Sequence, residues 1–225
     1  SVLAAFVGML RERTRMVHQL ETRGIRDPVV LAAFDQVPRE QFVAPHLAAH
    51  AYEDRPLPIE AEQTISQPHI VAVMVQALEL VPDSVVLEVG TGSGYAAAIL
   101  ACIASHVYTI ERQPQLAQTA RSRLARLGFF NVDVRCGDGT LGWEQQAPFD
   151  AIVVSAGGPV LPQALVDQLA VGGRLVMPIG DATEQRLIRV TKVSASELRQ
   201  EDLGAVVFVP LIGAQGWEDA CVFAV

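Results

Sequence analysis

A glycine-rich turn between an apolar strand and a small-residue helix limits this chain to a few folds. Residues 85–89 are apolar but for Glu88 and largely β-branched, the pattern of a buried strand. Glu88, Val89, Gly90, Thr91, Gly92, Ser93, Gly94 and Tyr95 close that strand, and 95–104 reads as a helix of small apolar residues. Glycines at such a junction let the backbone turn tightly and come close to a ligand.

The alternation then repeats. Strands are expected at 106–110, 132–135, 151–154 and 174–177, with helices at 114–127 and 162–169 and a Gly172-Gly173 turn before the last of these strands. Strands separated by helices imply a largely parallel sheet covered on both faces. The predicted fold class is therefore α/β, a doubly wound and mostly parallel sheet. Strands at 186–193 and 206–211 have no clear helix between them, so an antiparallel C-terminal edge is expected. Before residue 81 the texture is different. Helices are expected at 3–22, at 29–37 behind an Asp27-Pro28 cap, and at 69–80, with a mostly irregular stretch at 38–59. This divides the chain into an N-terminal helical cap with a loop, 1–80, and a core, 81–225.

The turn also narrows the ligand. The dinucleotide fingerprint needs a small residue at its sixth position, where this chain has Tyr95. A carboxylate just before the glycines would repel a pyrophosphate but attract an ammonium, directly or through water. S-adenosyl-L-methionine carries that ammonium and no phosphate. A tight turn with an incidental Glu88 would give the same string. Glu111 ends the second strand, where an acid can bond both ribose hydroxyls. A solvated strand-end acid beside Arg112 is the plainer reading. Asp138, between Gly137 and Gly139, follows the third strand. It can accept from an adenine amino group or simply close an Asp-Gly turn. Three acids after three successive strands support one another, since all would sit at the carboxyl edge of the sheet.

A second constellation runs from Gln63 through Thr64, Ile65, Ser66, Gln67 and Pro68 to His69. On spacing alone Ser66 is equally a helix N-cap. No base pairs with it in a nucleophile triad, and the Gly-x-Ser-x-Gly elbow is absent around it. The histidines and the scattered Cys102, Cys136 and Cys221 show no metal-ligand spacing, so no metal is expected. An odd number of cysteines fits a reduced, cytoplasmic protein. Residues 2–10 are apolar but run directly into Arg11, Arg13 and Arg15 with no cleavage site, so no signal peptide is expected, nor any membrane span. A net charge of −8 gives no nucleic-acid footprint.

The residues themselves carry a resemblance. The stretch 57–74, with its Thr64-Ile65-Ser66-Gln67-Pro68 block, is similar to the signature of protein-L-isoaspartate O-methyltransferases. So are 86–95, Gly137-Asp138-Gly139, 147–152, 168–175 and 208–211. The likeness covers nearly the whole chain from Val37 onward. It implies a Rossmann-like methyltransferase fold with N-terminal helices and a C-terminal segment over the site. It implies cofactor contacts from Thr64, Ile65, Gln67, His69, Glu88, Gly90, Thr91, Gly92, Ser93, Gly94, Glu111, Arg112, Asp138 and Gly139. It makes Ser66 the active-site residue and gives Val209, Pro210 and Leu211 the substrate backbone. Glu60 and Glu62 depart from it, standing where many relatives have glycine; a positive φ at either would strain a Glu. Arg55 is near enough in sequence to pair with one of them. Ser155 stands where a Thr is common.

The implied reaction is methyl transfer from S-adenosyl-L-methionine to the α-carboxylate of an L-isoaspartyl residue in a peptide or damaged protein, leaving S-adenosyl-L-homocysteine. A carboxylate is already ionised at neutral pH, so no general base is required. The expected protein is a monomer with no nucleic-acid or membrane partner. Two rivals stand beside this reading. One is a carboxylate methyltransferase acting on an aspartyl residue of a biosynthetic peptide; the other is a cofactor-binding adaptor without turnover.

Overall fold

A computed structural model describes residues 2–219 of the 225, and Cys221 lies outside them. Helix α1, Val2–Thr22, ends before Gly24, whose φ of +102° suits a residue without a Cβ. Asp27 caps α2, Pro28–Gln36, by accepting from the Val29 N–H at 2.9 Å. Two 3-10 turns, Arg39–Phe42 and Pro45–His50, lie within the stretch read as irregular. Then β1, Leu57–Pro58, pairs antiparallel with β2, Thr64–Ile65, and α3, Pro68–Ala77, follows directly.

The second half alternates as expected: β3 Val85–Val89, α4 Tyr95–Ala101, β4 His106–Glu111, α5 Pro114–Arg126, β5 Val132–Cys136, β6 Phe149–Val154, α6 Gln163–Gln168, β7 Leu169–Gly180, β8 Gln185–Ser194 and β9 Glu197–Val206. These strands form one seven-stranded sheet in the order β5-β4-β3-β6-β7-β8-β9. The pairs up to β6–β7 are parallel; β7–β8 and β8–β9 are antiparallel. Strand order reverses between β4 and β6 around β3, and ligands of open α/β sheets bind at such a switch point.

Alternate residues of each strand serve opposite faces. Val86, Val107, Ala151 and Val176 face a core shared with Met16 and Leu20 of α1, Phe34 of α2, Ala72 of α3 and Ile99 of α4. Leu87, Ile110, Ile152 and Leu175 face a second core with Leu165 of α6. The N-terminal helices thus cover one face of the sheet, which places the loop before α3 over the end of β3. No helix among the described residues is long and apolar enough to cross a membrane.

Several elements differ from the sequence reading. The Gly172-Gly173 pair lies inside β7 rather than before it. Gly172 has φ +84°, and the β6–β7 register shifts between Phe149↔Leu169 and Ala151↔Arg174, so the pair makes an irregularity within one strand. The last strand is 197–206, not 206–211. As an edge strand it carries Glu197, Arg199, Glu201 and Asp202, which hides the apolar signature while discouraging edge-to-edge pairing. The apolar 206–211 stretch instead runs beside the segment that follows β6, with Gly157 donating to the Val209 carbonyl at 2.8 Å and Leu211 donating to the Gly157 carbonyl at 2.9 Å. Helices α3 and α4 also stop three residues short of the expected ends, at Ala77 and Ala101.

Candidate functional site

The glycine loop lies at the switch point. Gly90, Gly92 and Gly94 have φ of +93°, +53° and +91°, conformations that would strain any residue with a Cβ. Gly90 donates to the Ile110 carbonyl at 2.9 Å, and Gly92 donates to Glu111 Oε2 at 2.9 Å. From α5, Arg123 donates to the Ser93 carbonyl at 2.7 Å, holding the loop from the far side. Over the loop opens a cavity of about 360 Å³. That is within the range of sites for small cofactors.

Of the expected cofactor residues, Thr64, Ile65, Gly90, Thr91, Gly92, Ser93, Glu111, Arg112 and Gly139 line this cavity, together with Ser66, Val209, Pro210 and Leu211. Glu111 is nearly buried and accepts from Gln113 N at 2.9 Å as well as from Gly92 N. Each carboxylate oxygen keeps a further acceptor site for a ligand hydroxyl. Arg112 pairs with Asp219 at 3.3 Å at the cavity rim. A Cβ on Gly139 would lie 2.4 Å from Val89 Cγ1, so the close approach there requires glycine.

Glu88, Gly94, Gln67, His69 and Asp138 do not line this cavity. Glu88 is wholly buried; its Oε1 accepts from Thr109 Oγ1 at 2.6 Å, and its Oε2 has no hydrogen-bond partner among the described residues. Burial pushes its pKa up to about 8 against one lowering hydrogen bond, with nearby Glu111 adding to the rise. It reaches the cavity through Thr109, whose hydroxyl lies 2.6 Å from that of Thr91. Asp138 is turned into its own loop. Its Oδ1 accepts from Thr140 N and Oγ1 at 2.9 and 2.7 Å, and its Oδ2 from Ala214 N at 2.8 Å. It holds the C-terminal segment in place rather than facing the cavity. His69 offers its backbone N–H to Asp54, and its Nε2 is buried without a partner.

A second cavity, of about 720 Å³, adjoins the first. Thr64, Ser66, Ser155 and Val209 line both. Gln67 lines the second, with Thr183, Glu184, Gln185 and Phe208. Among these lining residues Glu184 alone is charged. Gln185, almost fully buried, accepts from Phe208 N at 2.8 Å and donates to the Phe208 carbonyl at 3.1 Å, fixing the extended segment along the cavity. Ser66 is not a helix cap. The cap position of α3 is Gln67, with no side-chain cap of its own. The capping acceptor comes from Asp54, which takes the His69 N–H at 3.0 Å and Gln67 Nε2 at 2.9 Å and pairs with Arg23. The Ser66 hydroxyl makes no hydrogen bond among the described residues, so it is available at the junction of the two cavities.

The acidic loop has a defined geometry. Ala61 and Glu62 both sit at φ +56°, and Glu60 does not have a positive φ. Both glutamates are exposed, and Glu62 lines the first cavity. Arg55 pairs with Glu53, not with either of them, whereas Glu60 lies within the electrostatic reach of Arg123. Sequence reasoning missed Arg39, Asp54, Arg123, Thr183 and Gln185, none of which stands in a chemistry-bearing motif. Ser155 was singled out only as a departure from Thr, and its position after a strand was the available signal.

Comparisons with known proteins show the family. Residues 11–216 match the family described as Protein-L-isoaspartate(D-aspartate) O-methyltransferase (PCMT). A protein-L-isoaspartate O-methyltransferase of Protochlamydia amoebophila is 56% identical over 201 residues, covering 89% of this chain and 96% of the relative. One from Rhodopseudomonas palustris, strain HaA2, is 58% identical over 208 residues, 92% of this chain and 85% of the relative. Among solved structures, one from Plasmodium falciparum that bears the same family name holds S-adenosyl-L-homocysteine. It superposes with a TM-score of 0.77 at 29% identity, over 88% of this chain and 97% of that one.

Proposed function

Because the chain belongs to the protein-L-isoaspartate O-methyltransferase family, we propose that its two joined cavities carry out that family's reaction, with Ser66 orienting the acceptor. The protein is an S-adenosylmethionine-dependent methyltransferase acting on the α-carboxylate of L-isoaspartyl residues in peptides or damaged proteins. The observation that carries the site assignment is the junction. Ser66, Thr64 and Ser155 bring three hydroxyl groups to the border between a glycine-floored cavity and an open groove.

The residues present fit the cofactor. Glu111 retains acceptor capacity for hydroxyls, Gly139 lines the cavity, and Glu88 has a buried oxygen without a partner among the described residues. We assign Gly90, Thr91, Gly92, Ser93, Glu111, Arg112 and Gly139 to direct contact, with Thr64 and Ile65 above them. Glu88 acts through Thr109 and Thr91, Asp138 through the segment it anchors, and Gly94 and His69 through the shape of their loops. When bound, S-adenosylmethionine supplies an electrophilic methyl group. The chain's own part is to hold the acceptor carboxylate in line and keep water out. Ser66 donates to the carboxylate rather than attacking. Val209, Pro210 and Leu211, pinned to Gly157, present backbone to the substrate. No proton has to be removed from a carboxylate ionised at neutral pH, so positioning supplies most of the rate gain.

Residues 1–80 serve in this reading as the cap that supplies the acceptor loop, and 81–225 as the cofactor-binding core. We place the protein in the cytoplasm as a monomer without nucleic-acid partners. Free Cys102 and Cys136, the charged edge strand β9 and the net charge of −8 support this. Ser66→Ala tests the site. Methyl transfer to an isoaspartyl peptide should fall at least tenfold, while calorimetry gives an unchanged affinity for S-adenosylhomocysteine. Equal loss of both would show that the whole loop, not the hydroxyl, depends on Ser66.

A further inference from the structure

Arg39 is completely buried, yet among the described residues no carboxylate is hydrogen-bonded to it. Its Nε donates to the Ala51 carbonyl at 2.6 Å and its Nη2 to the Ser66 carbonyl at 2.9 Å. Its Nη1 is buried without a hydrogen-bond partner among the described residues. The guanidinium lies 4.8 Å from the ring centre of Tyr95, which lines the cofactor cavity in the first turn of α4. One side chain therefore touches three things: the turn before the acceptor loop, the residue in that loop whose hydroxyl borders both cavities, and the helix that follows the glycine loop.

Burying a cation with no carboxylate hydrogen-bonded to it is costly; burial lowers the pKa of this arginine, against the opposing effects of Tyr95, Tyr52 and the Asp54 charge. A neutral amide could join two carbonyls without that cost. A rigid fork has a use that an amide or ammonium lacks, because its planar donors fix two acceptors at a set separation and angle. Asp54 holds the other end of the same loop through Gln67 and His69. Between these two anchors Ser66 has little freedom.

We propose that Arg39 is a positioning residue for methyl transfer, its buried guanidinium holding the Ser66 carbonyl so that the Ser66 hydroxyl stays aimed at the junction of the two cavities. This rests on the reading of Ser66 as the acceptor-orienting residue. A displacement of about 1 Å in such a group can cost on the order of 100-fold in rate.

The test uses the full chain with Arg39→Lys and Arg39→Ala, each checked for folding by circular dichroism and thermal melting. Arg39→Lys keeps the charge and loses the fork. Its kcat on an isoaspartyl peptide should fall 10- to 100-fold, with KM and the dissociation constant for S-adenosylhomocysteine within threefold of wild type. Amide hydrogen exchange should quicken at residues 65, 66, 67 and 69 and stay unchanged at 90–95. In Arg39→Ala, low-millimolar guanidinium should restore part of the lost kcat. An Arg39→Lys protein that is folded with wild-type kcat, or with unchanged exchange at 65–69, overturns the proposal. So does a loss of kcat matched by an equal loss of cofactor affinity. If Arg39→Ala does not fold, Arg39→Lys decides alone. A wild-type chain inert on the peptide would overturn the substrate reading instead, and the exchange data would still decide on the anchor.

Discussion

At the scale of single residues, Glu88 shows how burial creates a measurable property. Its folded-state pKa of about 8 stands above the 4.5 of a free glutamate. Below pH 4.5 both folded and unfolded chains keep the proton and the group contributes nothing. Between 4.5 and 8 the unfolded chain ionises while the folded one does not, so stability falls as pH rises. Above 8 the penalty is constant. Glu88→Gln removes this dependence. The variant should match wild type in urea unfolding at pH 4 and become progressively more stable than wild type toward pH 8. The difference should grow by at most about 1.4 kcal/mol per pH unit. Parallel stability curves would show that the acid is not held neutral.

Glu62 is a second residue with a definite conformational cost. At φ +56° it sits where a side chain costs about 1–2 kcal/mol, against roughly 0.5–1 kcal/mol for the extra chain entropy of glycine. Glu62→Gly should therefore stabilise the protein by about 0.5–1 kcal/mol in thermal unfolding. It should also lower KM for isoaspartyl peptides, because an exposed acid lining the cavity repels the acceptor carboxylate. The KM effect should shrink as salt is raised. Unchanged kinetics at low salt would make Glu62 a bystander. The strain was foreseeable from the sequence only in part: the glycine positions of relatives marked the loop, but Glu60, equally suspect, has no positive φ and lies near Arg123.

At the scale of elements, the cap of α3 separates two readings that the sequence left open. Asp54, not Ser66, accepts the His69 N–H. Asp54→Ala should cost about 1 kcal/mol in denaturant unfolding, the usual value of a lost cap. Ser66→Ala should cost less than about 0.5 kcal/mol, because the half-buried hydroxyl caps nothing and makes no hydrogen bond among the described residues. The reverse order would return Ser66 to the role of a cap. The alternating strands and helices of the core were legible because buried parallel strands are apolar runs bounded by turns. The edge strand β9 was not, since its exposed face is charged, and the apolar 206–211 stretch drew the assignment because it lines cavities. Arg39 and Asp54 were illegible for another reason: they act across 27 and 15 residues of chain, on backbone atoms that carry no sequence signal.

At the scale of the whole molecule, seven strands, two cores and an N-terminal layer bring the acceptor loop over the carboxyl ends of β3 and β4. The glycine loop, Glu111 and Gly139 were recognisable because each stands in or beside a short turn after a strand, a pattern that is local in sequence. The junction shared by Thr64, Ser66, Ser155 and Val209 depends on three separate segments meeting, and only the fold shows it. That junction gives the molecule its selectivity in this account, since an isoaspartyl residue and its normal isomer differ in where the free carboxylate lies along the backbone. The most direct test is methyl transfer from labelled S-adenosylmethionine to an isoaspartyl peptide, run beside the same peptide with a normal aspartyl residue. The account predicts base-labile methyl ester on the isoaspartyl peptide, one S-adenosylhomocysteine released per methyl transferred, and no transfer to its twin. Equal labelling of the two peptides, or labelling of the normal one alone, would contradict it.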